Sequence, residues 1–222
     1  MFIDLHTHTL FSDGELIPSE LVCRAANNGY KAIALTDHVD FSNMDFVIPR
    51  LKKVVKSLSV YHRIDVIAGC EITYVPPPDI KKAVLKARRL GAEIVVIHGE
   101  TPVEPVPRGT NRAGILSGAD IIAHPGYILE EDVMLAARRK VCLEITTRCG
   151  HNRGNTHVSR LALKNKSASL VLDTDTHSPE DMITPDRKLV KETLGKSGLS
   201  ERYYNDVMLK NSLALIKKIR RK

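Results

Sequence analysis

Seven short apolar runs recur along the chain at intervals of roughly 20 to 35 residues: Phe2–Leu5, Ala32–Leu35, Val66–Ala68, Ile94–Ile97, Ile121–Ala123, Val141–Ile145 and Leu170–Leu172. A strand with one wet face alternates apolar and polar side chains, whereas these runs are continuous. They therefore predict strands covered on both faces, as in a parallel sheet. Between them, the pattern predicts helices over about 18–29, 46–60, 79–90, 110–117, 130–139, 155–165 and 185–195. Local signals support several boundaries: Pro18 with Glu20 at one start, Asn28-Gly29 and Leu90-Gly91 at two ends, and Pro185-Asp186 at another start. Two further short helices are expected within 199–219, packed on the rest of the fold.

Strand followed by helix, seven times over, is the order of a parallel α/β fold, either a barrel or a doubly wound sheet. No linker or low-complexity stretch divides the chain, so residues 1–222 read as one domain. The longest strand-to-helix loops, 99–109 and 146–155, lie on the edge where such folds keep their active sites.

Composition narrows this picture only in places. No apolar run approaches the ~20 residues of a membrane span, and Asp4 interrupts the first run in a way a secretory signal would not. A cytoplasmic protein is expected. Cys23, Cys70, Cys142 and Cys149 have no CxxC spacing and three sit in or beside apolar runs, so structural disulfides are not expected. The net charge of +7 favours anionic ligands. Part of it is a local cluster at the C-terminus, from Lys217 to Lys222, which reads as a solvated helix end.

The chemistry sits at the strand ends. The seven runs finish at His6 and His8, Asp37-His38, Glu71, His98, His124, Glu144, and Asp175 with His177. His, Asp and Glu are too sparse, nine and 26 among 222 residues, for such a pattern to arise by chance, so these side chains should converge at one end of the fold. Imidazoles and carboxylates gathered in one cleft call for divalent cations. His6 and His8, two apart on an extended segment, share a face and can chelate one ion. Without thiolates the donor set suits Zn²⁺, Mn²⁺ or Fe²⁺ alike. His62, in a predicted helix-to-strand connection, reads as an ordinary polar residue.

The segments "DLHTHTLFSDG", "ALTDH", "GCE", "VIHG", "IAHPG", "LEIT" and "DTDTH", in this order over residues 3 to 177, resemble the motifs of the PHP (polymerase and histidinol phosphatase) family of metal-dependent phosphoesterases. The resemblance implies a distorted (β/α)7 TIM-like barrel with up to three divalent ions at the C-terminal ends of its strands. By position, His6, His8, Glu71 and Asp175 would hold one ion, and Glu71, as a bridge, with His98 and His124 a second. Asp13, His38 and His177 would hold the third. Many relatives carry a histidine where Asp13 stands, and Asp remains a competent ligand for hard metals.

The implied reaction is hydrolysis of a phosphate ester, which needs positive charge near the non-bridging oxygens and a proton donor for the leaving group. Arg148, four residues past Glu144, is the candidate clamp, against the alternative that it pairs with a carboxylate at the barrel rim. His151 and His157 are candidate general acids. Arg108 and Arg112 lie on the other long loop. Gly109-Thr110-Asn111 could present helix amides to an anion, although a capping role for Thr110 or Asn111 fits better. Asp4, Asp37 and Asp173 are expected to support coordinating imidazoles.

The leading expectation is a phosphatase of small phosphomonoesters in the general pattern of histidinol-phosphate phosphatases. A nuclease comes second, since the family includes exonuclease modules of DNA polymerases; against it stand the missing polymerase-like domain and the few aromatic residues among the basic ones. A non-catalytic RNA-binding barrel, as in ribonuclease P proteins, would have no need of so full a ligand set. The expected partner is thus a phosphorylated small molecule, with neither membrane nor nucleic acid favoured.

Overall fold

The computed structural model describes residues 1–165 and 168–221. Its sheet strands are β1 (Phe2–Asp4), β2 (Tyr30–Leu35), β3 (His38–Val39), β4 (Asp65–Ile72), β5 (Ile94–His98), β6 (Ile121–Ala123), β7 (Cys142–Thr146) and β8 (Leu170–Asp173). The helices are α1 (Pro18–Asn27), α2 (Met44–His62), α3 (Ile80–Leu90), α4 (Thr110–Ser117), α5 (Glu130–Arg139), α6 (Asn155–Asn165), α7 (Lys188–Lys196) and α8 (Asn211–Ile219). Every strand pairing is parallel, in the order β1-β2-β4-β5-β6-β7-β8. Thr7 and Thr176, just beyond β1 and β8, form a parallel bridge, and the Leu5 N–H donates to Asp173 Oδ1 at 2.7 Å. These contacts bring the first and last strands together, so the sheet is nearly closed into a barrel.

β2 and β3 are one strand with an interruption. Leu35 pairs with Ala68 and His38 with Glu71 in the same register on β4. Thr36 and Asp37 instead turn toward the segment after β1, where the Thr36 N–H donates to the Thr7 carbonyl at 2.8 Å. His38 is thereby set back in line with Glu71 while Asp37 faces the first histidine segment.

Period-two alternation explains the unbroken apolar runs. On β2, Ala32 and Ala34 face the barrel interior while Ile33 and Leu35 meet the helices; on β5, Ile94 and Val96 face in and Val95 and Ile97 face out. Burying each Leu or Ile side chain stabilises the fold by about 1.5–3 kcal/mol. Leu215, Ile216 and Ile219 of α8 join the interior layer. Arg220 pairs with Asp65 at the start of β4, and Lys218 Nζ donates to the carbonyl of Lys140 ahead of β7. This helix therefore plugs the N-terminal end of the barrel, which leaves the C-terminal end for the site.

Several boundaries differ from those read in the sequence. Strand β4 runs to Ile72 and so carries Glu71 within it. Helix α2 begins at Met44, carries Pro49 in its second turn, where the missing N–H leaves the Asp45 carbonyl without its i+4 bond, and extends through His62, whose ring packs on Tyr61. The last barrel helix starts at Lys188 rather than Pro185, because Arg187 adopts a left-handed conformation (φ 54°). The stretch 199–219 holds a 3-10 turn (Glu201–Tyr203) and a π-turn (Asp206–Lys210) that continues into α8. All four cysteines are free thiols. Among the described residues no helix is long and apolar enough to cross a membrane.

Candidate metal centre

The strand ends deliver their side chains to one buried cluster. His6, His8 and Glu71 are fully buried, His98, His124 and Asp175 nearly so. Glu71 is central: its Oε1 lies 3.3 Å from His6 Nε2 and 3.6 Å from His124 Nε2, and its Oε2 lies 3.7 Å from His8 Nε2 and 2.7 Å from His38 Nδ1. Asp175 Oδ1 stands 3.1 Å from His8 Nε2 and 3.6 Å from His6 Nε2. At the rim, Asp13 reaches His177 Nε2 at 3.3 Å and His38 Nε2 at 3.6 Å.

The donor set fits divalent cations. Both oxygens of Glu71, Asp175 Oδ1, and the Nδ1 atoms of His8, His98, His124 and His151 are buried without a hydrogen-bond partner. A buried polar atom left unpaired costs about 1–3 kcal/mol, so this many in one place points to a ligand that takes their lone pairs. His6 Nε2 and His8 Nε2 face one another at 3.1 Å. Groups of donors close enough to share one ion include Glu71, His98 and His124; His6, His8 and Glu71; and His8, Asp13, His38 and His177. His124, His151 and Asp175 form another such group.

The remaining polar residues orient this set. His6 Nδ1 donates to Glu144 Oε1 at 2.7 Å, while Glu144 Oε2 accepts from the backbone N–H of His124 at 2.7 Å. The first bond keeps a proton on Nδ1 and leaves Nε2, facing Glu71 and Asp175, as the nitrogen that can give up its own proton to an ion. His177 Nδ1 donates to the carbonyl of Asp175 at 2.8 Å, which leaves Nε2 to face Asp13. Asp4, Asp37 and Asp173 act differently from expectation, because none touches the ring of an imidazole. Asp37 accepts from Thr9 N, Thr9 Oγ1 and Ser12 Oγ. Asp4 accepts from the N–H and hydroxyl of Thr174, and Asp173 from Leu5 N. All three hold the backbone of ligand-bearing segments.

Charge and burial compete throughout. Burial pulls His6 down, but the surrounding charges of Glu71, Glu144 and Asp175 outweigh it and hold the ring well above its usual pKa. His8 is pushed down to about 3 by burial and by the cationic His38. Burial likewise opposes His38, yet Glu71 and Asp13 raise it to about 9. Glu71 and Asp175 are held below the carboxylate range despite burial, chiefly by His6. Burial would raise Asp13, but its bond to His177 and the charge of His38 hold it below the usual range.

The residues expected to meet substrate are distributed unevenly. His151 joins the cluster, its ring 4.5 Å from that of His124. Arg148 Nη1 donates to Asp181 Oδ2 at 2.9 Å, the same oxygen that accepts from the backbone N–H of His177 and Ser178. His157 stands outside, its Nε2 donating to the Ile128 carbonyl at 2.8 Å. Arg112 turns to Glu131 and Asp132, and Arg108 is exposed. The amides at the start of α4 are occupied by the chain itself: Glu100 Oε1 accepts from Gly109 N at 3.0 Å and Asn111 N at 2.9 Å. Thr110 bonds back to Pro107.

Two residues escaped the sequence reading. Glu104, in the proline-rich loop after β5, places Oε2 3.2 Å from His98 Nε2 and Oε1 3.4 Å from His151 Nε2. Tyr74 lies face to face with the His98 ring at 5.7 Å and donates its hydroxyl to Glu104 at 3.0 Å. Tyr74, His124 and Asp175 all have positive φ (54°, 27° and 55°). Such backbone strain in non-glycine residues gathers at functional sites. Only the run of prolines in "TPVEPVPRG" hinted that this loop is held stiffly.

A parallel barrel of seven strands with buried imidazoles and carboxylates at their C-terminal ends defines a barrel built around a metal-binding cleft. Its sequence supplies the family: residues 4–98 match the PHP domain. An uncharacterised protein of Methanocaldococcus jannaschii is 44% identical over 221 residues, covering 99% of this chain and 100% of that protein. The chain belongs to the PHP domain family. It is 25% identical over 228 residues to the DNA polymerase/3'-5' exonuclease PolX of Bacillus subtilis, covering 92% of this chain but 40% of PolX. Its fold is similar to that of the histidinol phosphate phosphatase of Lactococcus lactis, solved with zinc, L-histidinol and phosphate (TM-score 0.63, 16% identity, 90% of this chain and 94% of that chain).

Proposed function

We propose that the chain is a metal-dependent phosphoesterase that hydrolyses a small phosphomonoester. The observation that carries this reading is the set of buried, unpartnered donor atoms centred on Glu71 in a PHP-family barrel. His6, His8, Glu71 and Asp175 would hold one ion; Glu71, His98 and His124 a second; Asp13, His38 and His177 a third. Zn²⁺, Mn²⁺ and Fe²⁺ all suit these donors. Bound divalent ions supply Lewis acidity toward a phosphoryl group and acidify water at neutral pH.

The protein's own residues do the rest. Glu144 fixes the His6 tautomer, and Arg148, through Asp181, steadies the segment that carries His177. His151 is the histidine beside the cluster that can exchange a proton with a leaving group; burial holds its pKa below the usual imidazole value and favours the neutral ring, so it must take up the proton that it then gives to the leaving alkoxide. Glu104 sets a carboxylate over His98 and His151, which favours a compact ester over a polyanionic backbone at the mouth.

The test is hydrolysis of a panel of phosphomonoesters, beginning with p-nitrophenyl phosphate, with added Mn²⁺ or Zn²⁺. The expected result is metal-dependent turnover that is lost in the His6→Ala, His8→Ala double variant. A metal-loaded protein inactive across the panel but active on labelled single-stranded DNA or RNA would replace this reading with a nuclease.

A further inference from the structure

Helices α2 and α3 pack side by side on the outer wall, and their outward faces carry an unusual charge. Residues 44–63 and 79–90 together hold ten Lys and Arg against two Asp, an excess of eight where the whole chain has a net charge of +7. Among the described residues, only Arg88 of these ten cations lies in an ion pair with a carboxylate, its partner being Asp120. A solvated helix face normally interleaves acids with its bases, and unrelieved repulsion between like charges at i, i+4 destabilises a helix slightly.

The cations line a furrow. Lys52 and Lys56 share one flank of α2, and Lys82, Lys86 and Arg89 share one flank of α3. The two flanks face each other: the Lys52 side chain lies against Gly91 at the end of α3, and Lys82 and Lys86 reach the ring of Phe41, just ahead of α2, at 5.4 and 5.7 Å. On the outward face of α2 beside the furrow, Lys53 and Lys56 border an open depression with Ser57 and Val60. Asp40, Asp45 and Asp79 sit only at the head.

We propose that the α2–α3 furrow binds nucleic acid through its phosphate backbone. A track of basic side chains with almost no carboxylate partners neutralises successive phosphates without regard to sequence. An anionic bilayer fits less well, because the apolar side chains exposed at the foot, Val60 and Tyr61, offer too little area to insert. The furrow shares no residue with the metal centre, so this inference stands whichever ester the site cleaves.

The test is fluorescence anisotropy of labelled oligo-dT and oligo-rU over a salt series. Wild-type protein is compared with the variant Lys53→Glu, Lys56→Glu, Lys82→Glu, Arg89→Glu and with the control Arg138→Glu, Arg160→Glu, Lys191→Glu, Lys217→Glu, which has the same net charge. We expect affinity to fall more than tenfold in the furrow variant alone, with a log–log salt slope shallower by roughly 3, since each single-strand phosphate contact contributes about 0.7. Equal losses in both charge variants, no binding at low salt, or tighter binding to phosphatidylserine vesicles than to oligonucleotides would overturn the assignment. Circular dichroism melts confirm that each variant is folded before it is scored.

Discussion

Glu144→Gln isolates the part of the metal centre that works through a single proton. In the wild type both carboxylate oxygens accept, one from His6 Nδ1 at 2.7 Å and one from the backbone N–H of His124 at 2.7 Å, in a fully buried position. Glutamine offers one acceptor and one donor. The backbone N–H cannot change its nature, so the amide oxygen must serve His124 and the amide NH₂ must face His6. Two opposed donors would leave the pair unmet, at about 1–3 kcal/mol; the cheaper response is for His6 to move its proton from Nδ1 to Nε2. That proton then occupies the lone pair directed at Glu71 and Asp175. Losing such an orienting partner typically lowers metal affinity by about 10- to 100-fold, or about 1.4–2.7 kcal/mol. Burial already holds the Glu144 carboxyl above its usual pKa, so the neutral amide should not unfold the protein. Competition with a chelator for Mn²⁺ or Zn²⁺ measures the affinity. A folded variant that binds metal as tightly as the wild type would refute the tautomer argument.

Asp37→Ala removes the acceptor of Thr9 N, Thr9 Oγ1 and Ser12 Oγ, and should destabilise the protein by about 3 kcal/mol in urea unfolding while loosening the segment that carries His8. Gly126→Ala should be at least as harmful: its φ is +59° and an added Cβ would meet the Glu100 carbonyl oxygen at 2.0 Å, so a large fall in melting temperature is expected. Divalent metal at 100 times its dissociation constant should add about 2.7 kcal/mol, which a thermal melt reads as a rise of roughly 5–10 °C at this chain length. His38, raised to about 9 before metal binds, gives stability that is complete below pH ~6.5 and lost as the pH rises through 9. Metal must displace that proton, so affinity should climb with pH up to about 9, with proton release visible by calorimetry in buffers of different ionisation enthalpy.

Much of the fold was legible in the sequence for a simple reason. A parallel strand covered on both faces must be apolar at consecutive positions, and residues such as Ile94–Ile97 meet that demand locally. The ligand set was legible because each donor sits at the point where an apolar run stops. Arg148 illustrates the limit. Its distance from Glu144 in sequence places it near the strand end, but the pairing with Asp181, 33 residues away, depends on how two loops meet. Glu104 and Tyr74 were missed for the same reason: nothing near either residue in sequence says that both lie against His98.

What the sequence determined by itself is the repeating order of strand and helix, and the identity of the side chains that terminate each strand. Both are local properties, fixed by burial and by backbone preference within a few residues. Closure of the barrel through Thr7 and Thr176, the plug formed by α8, the tautomer that Glu144 imposes on His6, and the meeting of basic flanks from α2 and α3 were decided only in three dimensions. Each depends on the approach of segments far apart in the chain, and the free energy of such contacts belongs to the pair rather than to either residue alone.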